Sequence, residues 1–311
     1  MRILMDKIGE AVKTVRKRYH LKAKQVYSGL LSQSAYQKLE NGVREIRPHI
    51  LEAVLSRLGI VCNYIGVLIS NKNFKIYYLE EEYKKCLIEE KYSAAEQIKD
   101  KFIEEYGLQD NVLKQRGYKM EAELACRKEN NLKKALELYN QAFYCTVSFD
   151  MLKEDMQLFS KEELKLSIQI VELFMKIGEM KKAEQCLWKI KSYITIFPKK
   201  SDKANEEAKV YYYLATFLFE RKEYQEVLSY LEKSIVLLSK MEGFTIQGDL
   251  FFYRARTLEI LYRQKEEWKN IRNSALRDFI TAYYVYEFQE KKEKCGWIQK
   301  YVEENYKWKN I

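Results

Sequence analysis

The spacing of apolar residues along this chain is helical almost from end to end, and it changes character near residue 74. Within the first sixty residues, Ile8, Ala11, Val12 and Val15 share one face and predict a helix over Lys7 to Tyr19, with Lys13, Arg16, Lys17 and Arg18 on its other face and end. Val26, Leu30, Leu31, Tyr36 and Leu39 then surround a turn centred on Gly29 and predict two short helices that form a small buried corner. Ser32 stands at the N-cap of the second of these, where its hydroxyl can accept a backbone N–H, and Gly42 closes it as a residue free to turn left-handed. That helix, about Gln33 to Asn41, turns Gln33, Ser34, Gln37 and Lys38 away from the corner. Pro48 suits the first turn of a fourth helix whose core face is Ile50, Leu51, Val54, Leu55 and Leu58.

From about Phe74 the pattern becomes a recurrence. An apolar or aromatic residue, two intervening residues and a small or aliphatic one recur at Tyr92 to Ala95, Leu132 to Ala135, Met180 to Ala183, Tyr224 to Val227 and Trp268 to Ile271. The second members are 40, 48, 44 and 44 residues apart, which leaves room for two antiparallel helices in each unit. Between the two regimes lies the most apolar window, Leu58 to Ser70. It is too short to span a bilayer and is predicted to join a first domain, 1–70, to a second, 71–311. From Ser274 onward aromatics crowd the chain: Phe279, Tyr283, Tyr284, Tyr286, Phe288, Trp297, Tyr301, Tyr306 and Trp308. Such a stretch must be covered, so it is predicted to cap the array, alone or together with a dimer contact.

Composition supports an all-α chain: of 311 residues only Pro48 and Pro198 are proline, so few positions force a helix to stop. Charge adds a polarity. Residues 1–75 hold 14 Lys or Arg against 5 Asp or Glu, a net of +9, and the other 236 residues supply only +1 of the total +10. A local basic excess of this kind attracts polyanions through counterion release. The six cysteines are scattered without a CxxC pair and only two histidines are present, which predicts reduced thiols, a cytoplasmic location and no metal site. No glycine-rich phosphate loop and no Ser-His-Asp or Cys-His set can be nominated, so the chain is expected not to be an enzyme and to need no cofactor.

The run GLLSQSAYQKLENG is similar to the helix-turn-helix of phage Cro/repressor-type DNA-binding domains, and the similarity extends from about Ile8 to Ile60. Two positions depart from that pattern: Ala23 or Gln25 matches a customary Gln, and Tyr27 stands where the family prefers Ala at the helix crossing. The resemblance implies base readout by Gln33, Ser34, Gln37 and Lys38 and phosphate contacts by Lys22, Lys24, Arg44 and Arg47. Farther on, AELACRKENNLKKALELYNQAF and LATFLFERKEYQEVLSYLEKSI resemble tetratricopeptide repeats, in degenerate and lengthened form. This implies a right-handed α-solenoid with a concave groove. The repeat register turns Lys165, Gln169 and Glu172, then Lys209, Tyr212 and Thr216, then Tyr253 and Arg256 toward that groove.

A Cro-type helix-turn-helix followed by tetratricopeptide-like repeats resembles the RRNPP regulators, including the Rgg type. The resemblance implies a cytoplasmic homodimer that binds a double-stranded DNA operator and is switched by a short signalling peptide in the groove, with no membrane partner. The alternative is a repeat adaptor that acts by protein–protein binding and whose N-terminal domain no longer reads DNA.

Overall fold

Each of the five recurrent apolar positions opens a helix. The computed structural model describes residues 2–43, 46–60, 71–107, 109–147, 158–196, 203–238 and 246–307; Arg44, Cys62, Trp308 and most of the Leu58 to Ser70 window lie outside them. Among the described residues there are fifteen α-helices and no strand. Contacts divide the chain into two units, 1–202 and 203–311. Unit 1 contains α1 (Arg2–Arg18), α2 (Ala23–Tyr27), α3 (Gln33–Glu40), α4 (Pro48–Arg57), α5 (Asn71–Ile88), α6 (Tyr92–Tyr106), α7 (Asn111–Arg127), α8 (Leu132–Thr146), α9 (Lys161–Ile177) and α10 (Met180–Ile196). Unit 2 contains α11 (Ala204–Glu220), α12 (Tyr224–Leu238), α13 (Gln247–Tyr262), α14 (Trp268–Phe288) and α15 (Lys292–Tyr306).

Tyr92, Leu132, Met180, Tyr224 and Trp268 are thus the first residues of α6, α8, α10, α12 and α14. Three residues on, Ala95, Ala135, Ala183 and Val227 are fully buried, because a small side chain lets two helix backbones approach closely. The turn before four of these helices is the same device. Glu90, Asn130, Gly178 and Lys222 have positive φ two residues ahead of α6, α8, α10 and α12, and Glu290 does the same ahead of α15. Only Gly178 adopts that conformation without cost; for the others it takes roughly 1–2 kcal/mol, carried by the packing on either side.

In unit 1 the motif corner forms as its pattern predicts. Val26, Leu30, Tyr36 and Leu39 are buried with Val12 and the α4 face Ile50, Leu51, Val54, Leu55 and Leu58, while Ala11 at the edge of the α1 stripe is exposed. Ser32 Oγ accepts the Ala35 N–H at 3.2 Å, and Gly42 has φ +67°. Tyr27 is accommodated at the crossing by packing against Tyr36, with ring centroids 5.4 Å apart. The corner's core also takes in Val112 of α7 and Leu158, just ahead of α9, so the helix-turn-helix and the first repeats share one apolar core.

In unit 2 the C-terminal aromatics are largely used internally. Phe279, Tyr286 and Tyr306 are buried with Ala255, Ala275 and Val302, and Trp297 stacks on Tyr301 at 4.8 Å. Tyr284, Phe288 and Trp297 stay exposed, Trp297 with one ring face against Tyr301.

Candidate nucleic-acid interface and repeat face

The two sides of the helix-turn-helix meet opposite environments. On the outer side Gln33, Ser34, Gln37 and Lys38 of α3 are all exposed, as are Lys22 and Lys24 at the start of α2. Below them Arg16 grips Glu40 with two bonds, 2.6 and 3.0 Å, and donates to Leu21 O; the Glu40 hydrogen bond raises the Arg16 pKa. Arg47, half exposed, pairs with Asp110 at 2.9 Å, and His49 Nε2 lies 2.8 Å from the same carboxylate. Burial pushes the Asp110 carboxyl up. The bond and charge of His49, the Leu113 N–H and Arg47 outweigh it and hold the group at about 2.

On the inner side the turn is clamped by one arginine. Arg57, the last residue of α4, is fully buried and uses all five of its N–H donors. Nη1 donates to Val26 O at 2.8 Å and Ser28 O at 2.7 Å, Nη2 to Thr146 O at 3.0 Å and Glu163 Oε1 at 2.5 Å, and Nε to Glu163 Oε2 at 3.1 Å. Val26 and Ser28 close α2 and Thr146 ends α8, so the cation meets carbonyl ends, while Glu163 sits in the first turn of α9. Burial raises the Glu163 carboxyl, but the charge and hydrogen bonds of Arg57 bring it below its ordinary value. Beside the clamp, Asn111 Nδ2 donates to Gly29 O at 2.9 Å. Gly29 has φ +76°, and a Cβ there would lie 1.8 Å from Thr146 O.

The first helices of the repeats in unit 1, α5, α7 and α9, line with α4 a partly open cavity of about 350 Å³. Arg116 crosses it, bonded to both oxygens of Glu80 at 3.0 and 2.9 Å and to Glu52 of α4 at 3.4 Å. Lys119 and Lys165 share Glu162 at 2.9 and 2.7 Å. Burial alone would raise the Glu162 carboxyl, and these two ammonium groups carry it far below its ordinary value.

Of the residues predicted to face a groove, Lys165 lines this cavity, Gln169 and Glu172 follow it half-buried along α9, and Gln169 Oε1 is buried without a hydrogen-bond partner. In unit 2 Tyr212 is buried, edge-on to Tyr253 at 6.2 Å, and Tyr253 also packs on Phe219 and Phe252. Thr216 donates to Tyr213 O, and Lys209 is half-buried. Arg256 pairs with Glu259 at 3.0 Å, donates to Tyr301 Oη at 2.6 Å and lies over that ring. Arg44 lies outside the described residues.

Sequence reasoning missed Arg57, Glu163, Asp110 and Arg116. Two signals were present. Arg57 falls seven residues after Ile50 and three after Val54, on the apolar stripe of its own helix. Ser160 and Glu163 have the Ser-x-x-Glu spacing of a capping box, with Ser160 Oγ accepting Glu163 N and Glu163 accepting Ser160 N.

A helix-turn-helix built onto an array of α-helical hairpins is the architecture implied by the resemblance to RRNPP peptide-sensing regulators, and comparison with solved structures gives the same fold. PlcR of Bacillus thuringiensis, in complex with the peptide PapR7 and DNA, superimposes with a TM-score of 0.51 at 16% identity, over 94% of this chain and 99% of that one. Its apo form gives 0.52 at 16% identity, over 94% and 98%. The pheromone receptor Rgg2 of Streptococcus dysgalactiae gives 0.42 at 12% identity, over 96% and 99%. Neither a family model nor a curated protein matches the chain.

Proposed function

We propose that this protein is a cytoplasmic, non-enzymatic transcription regulator that binds a double-stranded operator as a homodimer and responds to a short signalling peptide held by its repeats. The observation that carries the reading is the outer side of the helix-turn-helix. Polar side chains of α3 are exposed on one face, flanked by Lys22, Lys24 and Arg47, within the segment that bears nearly all the chain's net charge. Gln33, Ser34, Gln37 and Lys38 are the base-reading set and Lys22, Lys24, Arg44 and Arg47 the phosphate set. One motif contacts few base pairs, so a two-fold operator with half-sites about one helical turn apart supplies the specificity. The solved complex of PlcR with a peptide and DNA supports the same combination for this fold. Among the described residues no group of His, Cys, Asp and Glu is placed to hold a metal, and no helix is long and apolar enough to cross a membrane.

The peptide is assigned to the first-helix faces: Lys165, Gln169 and Glu172 in unit 1 and Lys209, Tyr212, Thr216, Tyr253 and Arg256 in unit 2. Gln169 is the most informative of these, because its buried amide oxygen lacks a partner that a peptide N–H would supply. Tyr212 and Arg256 are held by their own neighbours, so their replacement also disturbs packing.

The test is equilibrium binding to a nonspecific duplex between roughly 50 and 200 mM salt. Affinity is expected to fall linearly on logarithmic axes, and Lys24→Ala and Arg47→Ala each to reduce the slope by about one. Binding that is absent or indifferent to salt would overturn the DNA reading and leave the repeat adaptor.

A further inference from the structure

The structure assigns Arg57 a positioning role: the Arg57–Glu163 pair couples the first turn of α9 to the turn of the helix-turn-helix, so that the α9 face carrying Lys165, Gln169 and Glu172 and the DNA-reading helix α3 move as one body. This rests on the proposed reading of those two faces and names the physical link between them.

Three observations carry it. First, the guanidinium is saturated, with five donors on five acceptors from three separate helix ends. Its rigid planar fork fixes the relative orientation of the groups it bonds, whereas a point-charge ammonium or an apolar side chain would fix only their proximity. Second, the joint is reinforced around its edge. Ser56 Oγ accepts the Lys161 N–H at 2.9 Å, the Leu158 N–H donates to Gln25 O at 3.1 Å, and Gly29 lies against Thr146. Third, the clamp leaves the reading face free: Gln33, Ser34, Gln37 and Lys38 point away from it into solvent. Burying an ion pair is a poor way to gain stability, because apolar residues of similar volume serve as well or better. Orientation is what this pair supplies that they do not.

A tilt or fraying of the α9 N-terminus therefore reaches residues 26–31 through Glu163 and Arg57. Ser160→Ala, which removes the α9 cap without touching α1–α4, is the perturbation. Arg57→Met with Glu163→Leu is the uncoupled background, chosen so that no buried charge is stranded. Amide hydrogen exchange of residues 26–31 is the readout, with α11–α15 as the internal control.

Ser160→Ala is expected to speed exchange at 26–31 by about tenfold in the otherwise unaltered chain and by clearly less in the uncoupled background, where only the Lys161–Ser56 and Leu158–Gln25 bonds still join α9 to the motif. The uncoupled background is also expected to lose preference for a duplex selected from a random pool by the unaltered protein. Its salt slope on nonspecific duplex should stay unchanged, because Arg57 is buried away from the basic face. If Ser160→Ala accelerates exchange at 26–31 equally in both backgrounds, or in neither, the coupling is overturned. Should the double variant unfold throughout, Arg57→Lys, which keeps the charge and loses the fork, takes its place under the same two criteria. The exchange measurement needs neither DNA nor peptide, so failure to select any duplex would sink the DNA reading and leave this result standing.

Discussion

The outer and inner sides of the helix-turn-helix are built from the same short stretch of chain and obey opposite rules. The outer side presents Gln33, Ser34, Gln37 and Lys38 to solvent, where, on the proposed reading, the loss of a single side chain is expected to change recognition without disturbing the fold. The inner side ties Val26 O and Ser28 O to Arg57 of α4, sets Gly29 against Asn111 of α7 and Thr146 of α8, and reaches α9 through the buried Arg57–Glu163 pair, neither member of which can be removed without stranding the other. The proposed reading puts specificity where substitution is cheap and orientation where it is expensive.

The sharpest way to break this contrast is to strand one charge of the clamp. Glu163→Ala leaves Arg57 buried without its counter-ion and is expected to destabilise unit 1 by about 3–5 kcal/mol in denaturant titration, far more than the paired Arg57→Met and Glu163→Leu change. A loss under about 1 kcal/mol would mean that water reaches the site and that the inner side is not the rigid one.

Gly29→Ala comes next. The left-handed backbone alone costs roughly 1–2 kcal/mol, and the new Cβ would collide with Thr146 O. Weakened docking of the turn on α8 should lower the thermal midpoint and raise exchange at residues 26–31. An unshifted midpoint would show that the turn can lift away from the repeats freely.

The Asp110 cluster is the intermediate case, half inner and half outer. Its folded pKa is depressed from the ordinary 3.8 to about 2, so its stabilisation is present above the unfolded value and is lost as pH falls from there through about 2. The full difference is about 2 kcal/mol, and Asp110→Asn should flatten the stability profile over that acid window while leaving neutral pH less affected than Glu163→Ala does. An unchanged acid limb in Asp110→Asn would contradict the depressed pKa.

Gln37→Ala is the smallest. It should change stability by under about 0.5 kcal/mol, as exposed substitutions do, while relaxing the preference among selected duplexes at one base position by about 1–3 kcal/mol. A stability loss comparable to that of Gly29→Ala would place Gln37 among the packing residues.

Much of the fold was legible because it follows from local chemistry. The Ser32 cap, the left-handed Gly42, the α4 face from Ile50 to Leu58 and the five helix starts from Tyr92 to Trp268 are each specified by residues within one or two turns of one another. The outer face was legible for the same reason, since the register of α3 follows from which residues the corner buries. The C-terminal aromatics were harder. Their pattern predicts that they must be covered, but that Tyr286 is buried while Phe288 stays exposed depends on how α13, α14 and α15 pack.

By itself the sequence determined the kind of helices, their order, the basic end and the polar face that α3 turns outward, because periodicity, capping and charge count are properties of neighbouring residues. Only the tertiary structure decided that Arg57 of α4 would meet Val26, Ser28, Thr146 and Glu163, partners up to 106 residues distant along the chain. The physical reason is that a buried guanidinium is tolerable only when every donor finds an acceptor. Five acceptors from three helix ends exist at one point in space only after those helices have packed.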